Sequence, residues 1–147
     1  MGRTCIRKRE LTKTMPSNNK RKIFNYTGER GVVVPKDVTH VCVDSSVRVI
    51  PDGAFRGCRK LEDVQFCEGV EMIGVGAFCG CEYLKHVEMP SYVKVISMRA
   101  FEECTGLEEV QFCEGLEEIG EGAFRGCKSL RSIKFPSTVK VISKMAF

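Results

Sequence analysis

The chain has 147 residues, of which 43% are hydrophobic and 29% are charged, and its net charge at pH 7 is +4. This length and composition are typical of one small globular domain. No stretch approaches the roughly 20 apolar residues that a membrane span requires, and no segment has the apolar core of a secretory signal. The sequence therefore predicts an intracellular protein, cytoplasmic or nuclear, with no membrane partner.

Residues 1–30 are predicted to form a basic, disordered arm. Residues 1–36 contain ten Lys or Arg and two acidic residues, a net charge of +8, whereas the remaining chain contains 13 basic and 17 acidic residues, a net charge of −4. Few apolar residues precede Ile23, and such a segment cannot bury enough apolar surface to offset the entropy cost of folding. The positive charge of the protein is thus concentrated in the arm.

Two basic clusters in the arm, ten residues apart, resemble a bipartite nuclear import signal. Two short cationic stretches joined by a linker can fill two acidic grooves on an import carrier. A solvated tail, or one that contacts nucleic-acid phosphates without reading sequence, is the alternative. The clusters consist of Arg7, Lys8, Arg9, Lys20, Arg21 and Lys22.

A repeat domain is predicted over residues 31–147, and residues 31–53 form its degenerate first coil. Apolar residues of this segment lie 23 residues before apolar positions of the next coil, as with Val41 before Val64 and Ile50 before Ile73. Terminal repeats of such arrays are commonly atypical because one of their sides lacks a neighbour. The valine-rich segment 31–35 is suited to cover that side.

The regular coils begin at residue 54, where the pair Ala-Phe starts to recur every 23 residues. The same step carries a cysteine at positions 58, 81, 104 and 127. Constant apolar positions at a constant period indicate units that stack and share one core, because a unit this short cannot build a core alone. In each coil a segment such as Val64–Phe66 alternates apolar with polar residues, and Val70–Ile73 forms a second extended piece. No segment shows a helical period.

These coils resemble the BspA-type leucine-rich repeat, whose unit reads Leu-x-x-Val-x-Phe-Pro-x-x-Val-x-x-Ile-Gly-x-x-Ala-Phe-x-x-Cys. The resemblance covers residues 38–147, with Pro90 and Pro136 at the proline of the family and Cys67 and Cys113 in its place in alternate coils. It implies a mostly β leucine-rich repeat solenoid of right-handed, stacked 23-residue coils with parallel strands on the concave face. It implies no catalytic residues.

The alternation of cysteine and proline indicates a second period of 46 residues. When residues 64–101 are laid on residues 110–147, Gln65 matches Gln111 and Glu68 matches Glu114. Core packing does not demand identity at such surface positions, so a tandem duplication of a two-coil unit explains it. A ligand that itself repeats is the alternative.

The nine cysteines are predicted to be mostly structural thiols. One cysteine per coil at a fixed position suits a small, buried, weakly polar side chain, and an intracellular compartment keeps thiols reduced. The pair Cys79 and Cys81 invites a metal hypothesis, but a zinc site needs four converging ligands. No metal, cofactor or catalytic residue is predicted.

The outward face of the strands carries three columns of polar residues with mixed charge. The leading hypothesis is a non-catalytic protein-protein interaction module that binds an unknown protein partner on this concave repeat surface. The alternative is a nuclear or nucleic-acid-associated factor that acts through the basic arm, and adhesion at a cell surface would require secretion. The surface lacks exposed aromatic anchors, which predicts a modest affinity, and Tyr83 and Tyr92 lie near loop edges as candidate additional contacts. The candidate binding residues are Thr39, His40, Glu62, Asp63, Gln65, Lys85, His86, Glu88, Glu108, Glu109, Gln111, Arg131 and Lys134.

The last coil is truncated at Phe147, within a turn. Uncovered strand edges favour further pairing, so weak self-association through this coil is expected, unless the array continues in a longer chain.

Overall fold

The computed structural model describes residues 21–147, which form ten short strands and no helix. All strand pairings among them are parallel. The strands are β1 (Ile23–Tyr26), β2 (His40–Val43), β3 (Val49–Ile50), β4 (Asp63–Gln65), β5 (Met72–Ile73), β6 (His86–Glu88), β7 (Val95–Ile96), β8 (Glu109–Gln111), β9 (Glu118–Ile119) and β10 (Val141–Ile142).

The strands stack in two columns, one along each of two sides of the solenoid. The first column contains a sheet of β1, β2 and β4 and a sheet of β6 and β8, and the second contains the continuous sheet β3-β5-β7-β9-β10. In the second column Val49 pairs with Met72 and Met72 with Val95. Residues that pair between neighbouring rungs are thus one full repeat apart in the sequence. The predicted repeat solenoid with parallel strands is confirmed.

The Ala-Phe pair forms a third stacked element, in the turns. The Phe55 and Phe78 rings lie 4.9 Å apart between centroids, and the next ring, that of Phe101, follows at 5.0 Å, with all three nearly parallel. Backbone hydrogen bonds join the turns, as from the Phe78 amide to the Ala100 carbonyl at 2.7 Å. The alanines and phenylalanines of the inner coils are buried. Burying one such ring contributes roughly 1.5–3 kcal/mol, so this ladder explains why the pair recurs.

The strand β1 corrects the predicted extent of the arm. It lies within residues 1–30, yet it pairs in parallel with β2, and Ile23 is opposite His40. The Tyr26 ring is buried and contacts the Phe55 ring edge-on, with centroids 5.1 Å apart. Because β1 precedes its neighbour by less than one full repeat, the repeat template does not detect it. The repeat stack therefore begins before residue 31.

The second strand of each coil is shorter than predicted. The segment 70–73 contributes only Met72 and Ile73 to a strand. Val70 and Ile73 are both buried, whereas Glu71 is exposed and Met72 is partly exposed. Two successive side chains thus lie outside, and the chain bends here instead of alternating.

Candidate protein-binding face

The first-column face consists of the outward side chains of the strands in the first column and of the residues that precede them. Val41, Val64, Val87 and Val110 each sit in the middle of a strand segment and are at most 5% exposed. Their sequence neighbours turn outward because successive side chains of a strand point to opposite sides. This alternation places most of the predicted binding residues on one surface.

Strand register brings the two histidines of this face beside carboxylates. His40 pairs with Asp63, and His86 pairs with Glu109. The His86 Nδ1 lies 3.8 Å from a Glu109 carboxylate oxygen, and both side chains are more than half exposed. This separation exceeds a hydrogen bond. The pair is therefore a weak, solvated charge contact that forms when the imidazole is protonated.

The hydrogen-bonded ladder of this face is interrupted between β4 and β6, which belong to different sheets although the two strands are in contact. His40, Glu62, Asp63 and Gln65 lie on the β2 and β4 side. The other members, from Lys85 onward, lie on or beside β6 and β8 or in the last coil, so the structure brings the predicted residues together in two groups. The second group consists of Lys85, His86, Glu88, Glu108, Glu109, Gln111, Arg131 and Lys134.

Two exposed polar contacts connect members of the second group. The Gln111 side-chain amide donates a 3.2 Å hydrogen bond to a Glu109 carboxylate oxygen. An Arg131 guanidinium nitrogen lies 3.9 Å from a Glu108 carboxylate oxygen. Arg131 and Lys134 are exposed at one end of the face, whereas Glu62 and Asp63 lie toward the other end. The face is therefore acidic at β4 and basic in the last coil.

Thr39 does not belong to this accessible surface, which corrects its inclusion among the binding residues. It is 7% exposed. Its hydroxyl oxygen accepts a 2.9 Å hydrogen bond from the Lys22 amide, and it lies 2.8 Å from the His40 Nδ1. The chain leading into β1 covers Thr39, and this cover is the part of the stack that the repeat template does not detect.

Two exposed tyrosines lie in the turns before and after β6. Tyr83 and Tyr92 are each 60% exposed. The corresponding positions of the next coil, one period later, are Gly106 and Gly115. The repeat therefore does not require an aromatic side chain at either place, and both rings are available for contact.

The cysteine ladder of the turns is structural. Cys58, Cys81 and Cys104 are fully buried. The Cys104 thiol donates a hydrogen bond to the Phe78 carbonyl at 3.1 Å, and the Cys127 thiol does so to the Phe101 carbonyl at 3.2 Å. Burial raises the pKa of the Cys127 thiol to about 12, and it raises the pKa of the Cys104 thiol well above its usual value. These thiols are neutral donors. Within residues 21–147, no three His, Cys, Asp or Glu side chains converge on a metal site.

Most of the predicted import signal lies outside the described residues, namely Arg7, Lys8, Arg9 and Lys20. Lys22 lies directly before β1. Its carbonyl oxygen accepts the amides of Thr39 and His40, at 3.0 and 3.1 Å. Its ammonium group forms an ion pair with Asp37. The end of the second basic cluster is thus part of the repeat stack.

Comparison with known families and structures agrees with this architecture. The model of the BspA type leucine-rich repeat region matches residues 34–147 in six copies. The chain belongs to this family. The family is typically non-catalytic, and its repeat commonly serves protein interaction. No sequence among the curated proteins matches the chain.

Three solved structures of this repeat fold resemble the chain, which spans about a third to a half of their lengths. A leucine-rich repeat protein of Bacteroides ovatus has a TM-score of 0.68 and 27% identity, over 75% of this chain and 30% of its own. The T. pallidum leucine-rich repeat protein has a TM-score of 0.67 and 33% identity, over 78% and 52%. A leucine-rich cell surface protein of Faecalibacterium prausnitzii has a TM-score of 0.63 and 26% identity, over 80% and 32%.

A search of the described part of the chain for a helix long and apolar enough to cross a membrane found none. The last coil holds an open crevice of about 410 Å³. Its lining includes the apolar Phe124, Leu130 and Phe147 and the basic Lys128 and Arg131.

Proposed function

We propose that the chain is a non-catalytic interaction module that binds a protein partner on the first-column face, centred on β6. The observation that carries this proposal is the pair of exposed tyrosines in the turns before and after that strand. Between them, Lys85, His86 and Glu88 present exposed polar groups. Aromatic anchors around a polar strip are typical of the residues that dominate protein interfaces.

The charge distribution supports an elongated partner that lies across the rungs. Glu62 and Asp63 would face basic groups of the partner, and Arg131 and Lys134 would face acidic groups. Exposed charges of this kind set the orientation and the association rate more than the affinity. The two tyrosines would therefore supply most of the binding energy.

The test replaces Tyr83 by Ser and Tyr92 by Thr, the residues that the chain itself carries 46 positions later, at Ser129 and Thr138. A partner captured on the immobilised chain and identified by mass spectrometry is then titrated against each variant by interferometry. We expect the double variant to lose about 30- to 700-fold in affinity, because anchor residues are each worth about 1–2 kcal/mol.

Two controls separate this hypothesis from its competitors. Val75→Glu alters the opposite column and should leave the affinity unchanged. Deletion of residues 1–20 should also leave it unchanged, whereas a complex that depends on the basic arm would be lost. Binding that survives the double tyrosine variant would refute the proposal.

A further inference from the structure

A second surface, on the other strand column, carries exposed apolar side chains. The second-column face consists of the outward residues of β3, β5, β7, β9 and β10 and of the turns that follow them. Register places Val49, Met72 and Val95 in one row, and Val75 and Met98 occupy matching places in the adjoining turns of two successive coils. Val49, Val75 and Met98 are 44%, 37% and 41% exposed.

The tandem duplication provides an internal comparison for this surface. Glu118, Glu121 and Lys144 occupy, 46 residues later, the positions of Met72, Val75 and Met98. All three replacements exchange an apolar residue for a charged one, and all three charged residues are exposed. The coil therefore folds with either kind of side chain at these positions. Val95, in the same row, keeps an apolar residue in the second copy, Val141. Packing does not demand apolar residues at the other three positions, so their apolar character in the first copy is available for contact with another molecule.

A column of alternating charge runs beside the apolar row. It consists of Arg48, Glu71, Lys94, Glu117 and Lys140, one residue in each rung. Backbone hydrogen bonds of 2.7–2.9 Å connect the successive members. The Lys140 ammonium lies 2.7 Å from a Glu117 carboxylate oxygen, and this cation lowers the pKa of Glu117. If a second copy is placed face to face with its rungs in the opposite order, and if the second rung of one copy lies on the third rung of the other, each basic residue of the first four rungs faces an acidic one.

We propose that two copies of this chain associate through the second-column face. The two-fold axis would run parallel to the strands and pass between β5 and β7. Met72 then faces Val95 of the partner copy, and Val75 faces its Met98. Glu71 faces the partner's Lys94, and Arg48 faces its Glu117. The apolar residues of the second and third rungs are matched by apolar residues, and the flanking charges by opposite charges.

The size of the patch predicts a weak, reversible dimer. Four rungs at about 4.8 Å and about five residues at about 3.3 Å each give a footprint of roughly 300 Å² per copy. Stable dimers bury about 800 Å² per partner. At the margin Asp52 and the partner's Glu121 would also meet as like charges, and Val49 would face the partner's Glu118, so the apolar contact is confined to the second and third rungs. We therefore expect a dissociation constant of about 0.1–1 mM. This proposal is independent of the function assigned to the first-column face.

Sedimentation equilibrium of the 147-residue chain tests the proposal. Over a range from about 20 µM to about 1 mM, the weight-average mass should rise from the monomer toward the dimer. The double variant Met72→Glu with Val75→Glu installs the residues of the second copy and places four carboxylates at the contact. We expect it to weaken association at least about ten-fold, because buried like charges are strongly unfavourable.

The matched control is Tyr83→Ser with His86→Ser on the first-column face. It likewise installs the residues that the chain carries 46 positions later, Ser129 and Ser132. It should associate like the parent chain. A charge cycle then tests the register: Lys94→Glu should weaken the dimer, and Glu71→Lys combined with Lys94→Glu should restore it. Circular dichroism confirms that each variant is folded.

Three results would each overturn the proposal. The first is a chain that stays monomeric over the whole concentration range. The second is a dimer that is insensitive to Met72→Glu with Val75→Glu. The third is a dimer abolished by the first-column control, which would place the contact on the other face.

Discussion

Truncation of one ring of the phenylalanine ladder is predicted to be more costly in the middle than at its last ring. Phe101 is fully buried, and its ring lies 5.0 Å from that of Phe78 and 5.3 Å from that of Phe124. Its burial contributes roughly 1.5–3 kcal/mol, and each stacked pair adds about 0.5–1.5 kcal/mol. Phe101→Ala should therefore lower the free energy of unfolding by about 4 kcal/mol, within the usual range for such truncations.

Phe147 provides the matched comparison. Its ring stacks on Phe124 at 5.3 Å, but it is 46% exposed. Its ring also contacts the Phe135 ring edge-on, with centroids 5.6 Å apart. Burial of about half a side chain, one stacked pair and one edge-on pair at the exposed end predict a loss of about 2–3 kcal/mol for Phe147→Ala. Urea denaturation followed by circular dichroism measures both values, and the slope of the transition shows whether the coils still unfold together. Equal losses for the two variants would refute the ladder as the source of stability.

Two other properties follow from the titratable groups. Lys140→Met should raise the pKa of Glu117 toward its usual value, because the hydrogen bond from the Lys140 ammonium is the largest cause of the lowered pKa. NMR titration of the Glu117 carboxyl carbon measures this pKa, and an unchanged value would contradict the contact. Since the folded pKa is lowered, this contact stabilises the fold above the unfolded pKa and is lost as the pH falls through the folded pKa. Cys104 and Cys127 should resist alkylation by iodoacetamide at pH 8 in the native chain and react only after unfolding, because their raised pKa values keep both thiols protonated. Mass spectrometry of the labelled peptides measures the reaction, and rapid labelling of the native chain would contradict the prediction.

The repeat made most of the fold predictable from the sequence. Its constant length specifies which side chains share a column, as the observed pairs His40 with Asp63 and Val49 with Met72 show. Alternation around Val64 then specifies which neighbours point outward. The same reasoning failed at β1, because that strand lies less than one full repeat before β2 and so breaks the period. The burial of Thr39 was missed for the same reason, since the chain that covers it belongs to that strand.

The second-column face was harder to predict, because its local geometry departs from strand alternation. Val70 and Ile73 are both buried, and the two residues between them are exposed to different degrees. A period of two read from Val70 would bury Met72 and expose Ile73, which is the reverse of what the coil does. The sequence therefore assigns Met72 to neither side, and its partial exposure in the structure places it on the surface. Glu118 occupies the position of Met72 in the second copy, and it is exposed. Its charge therefore agrees with a position that the fold leaves on the surface.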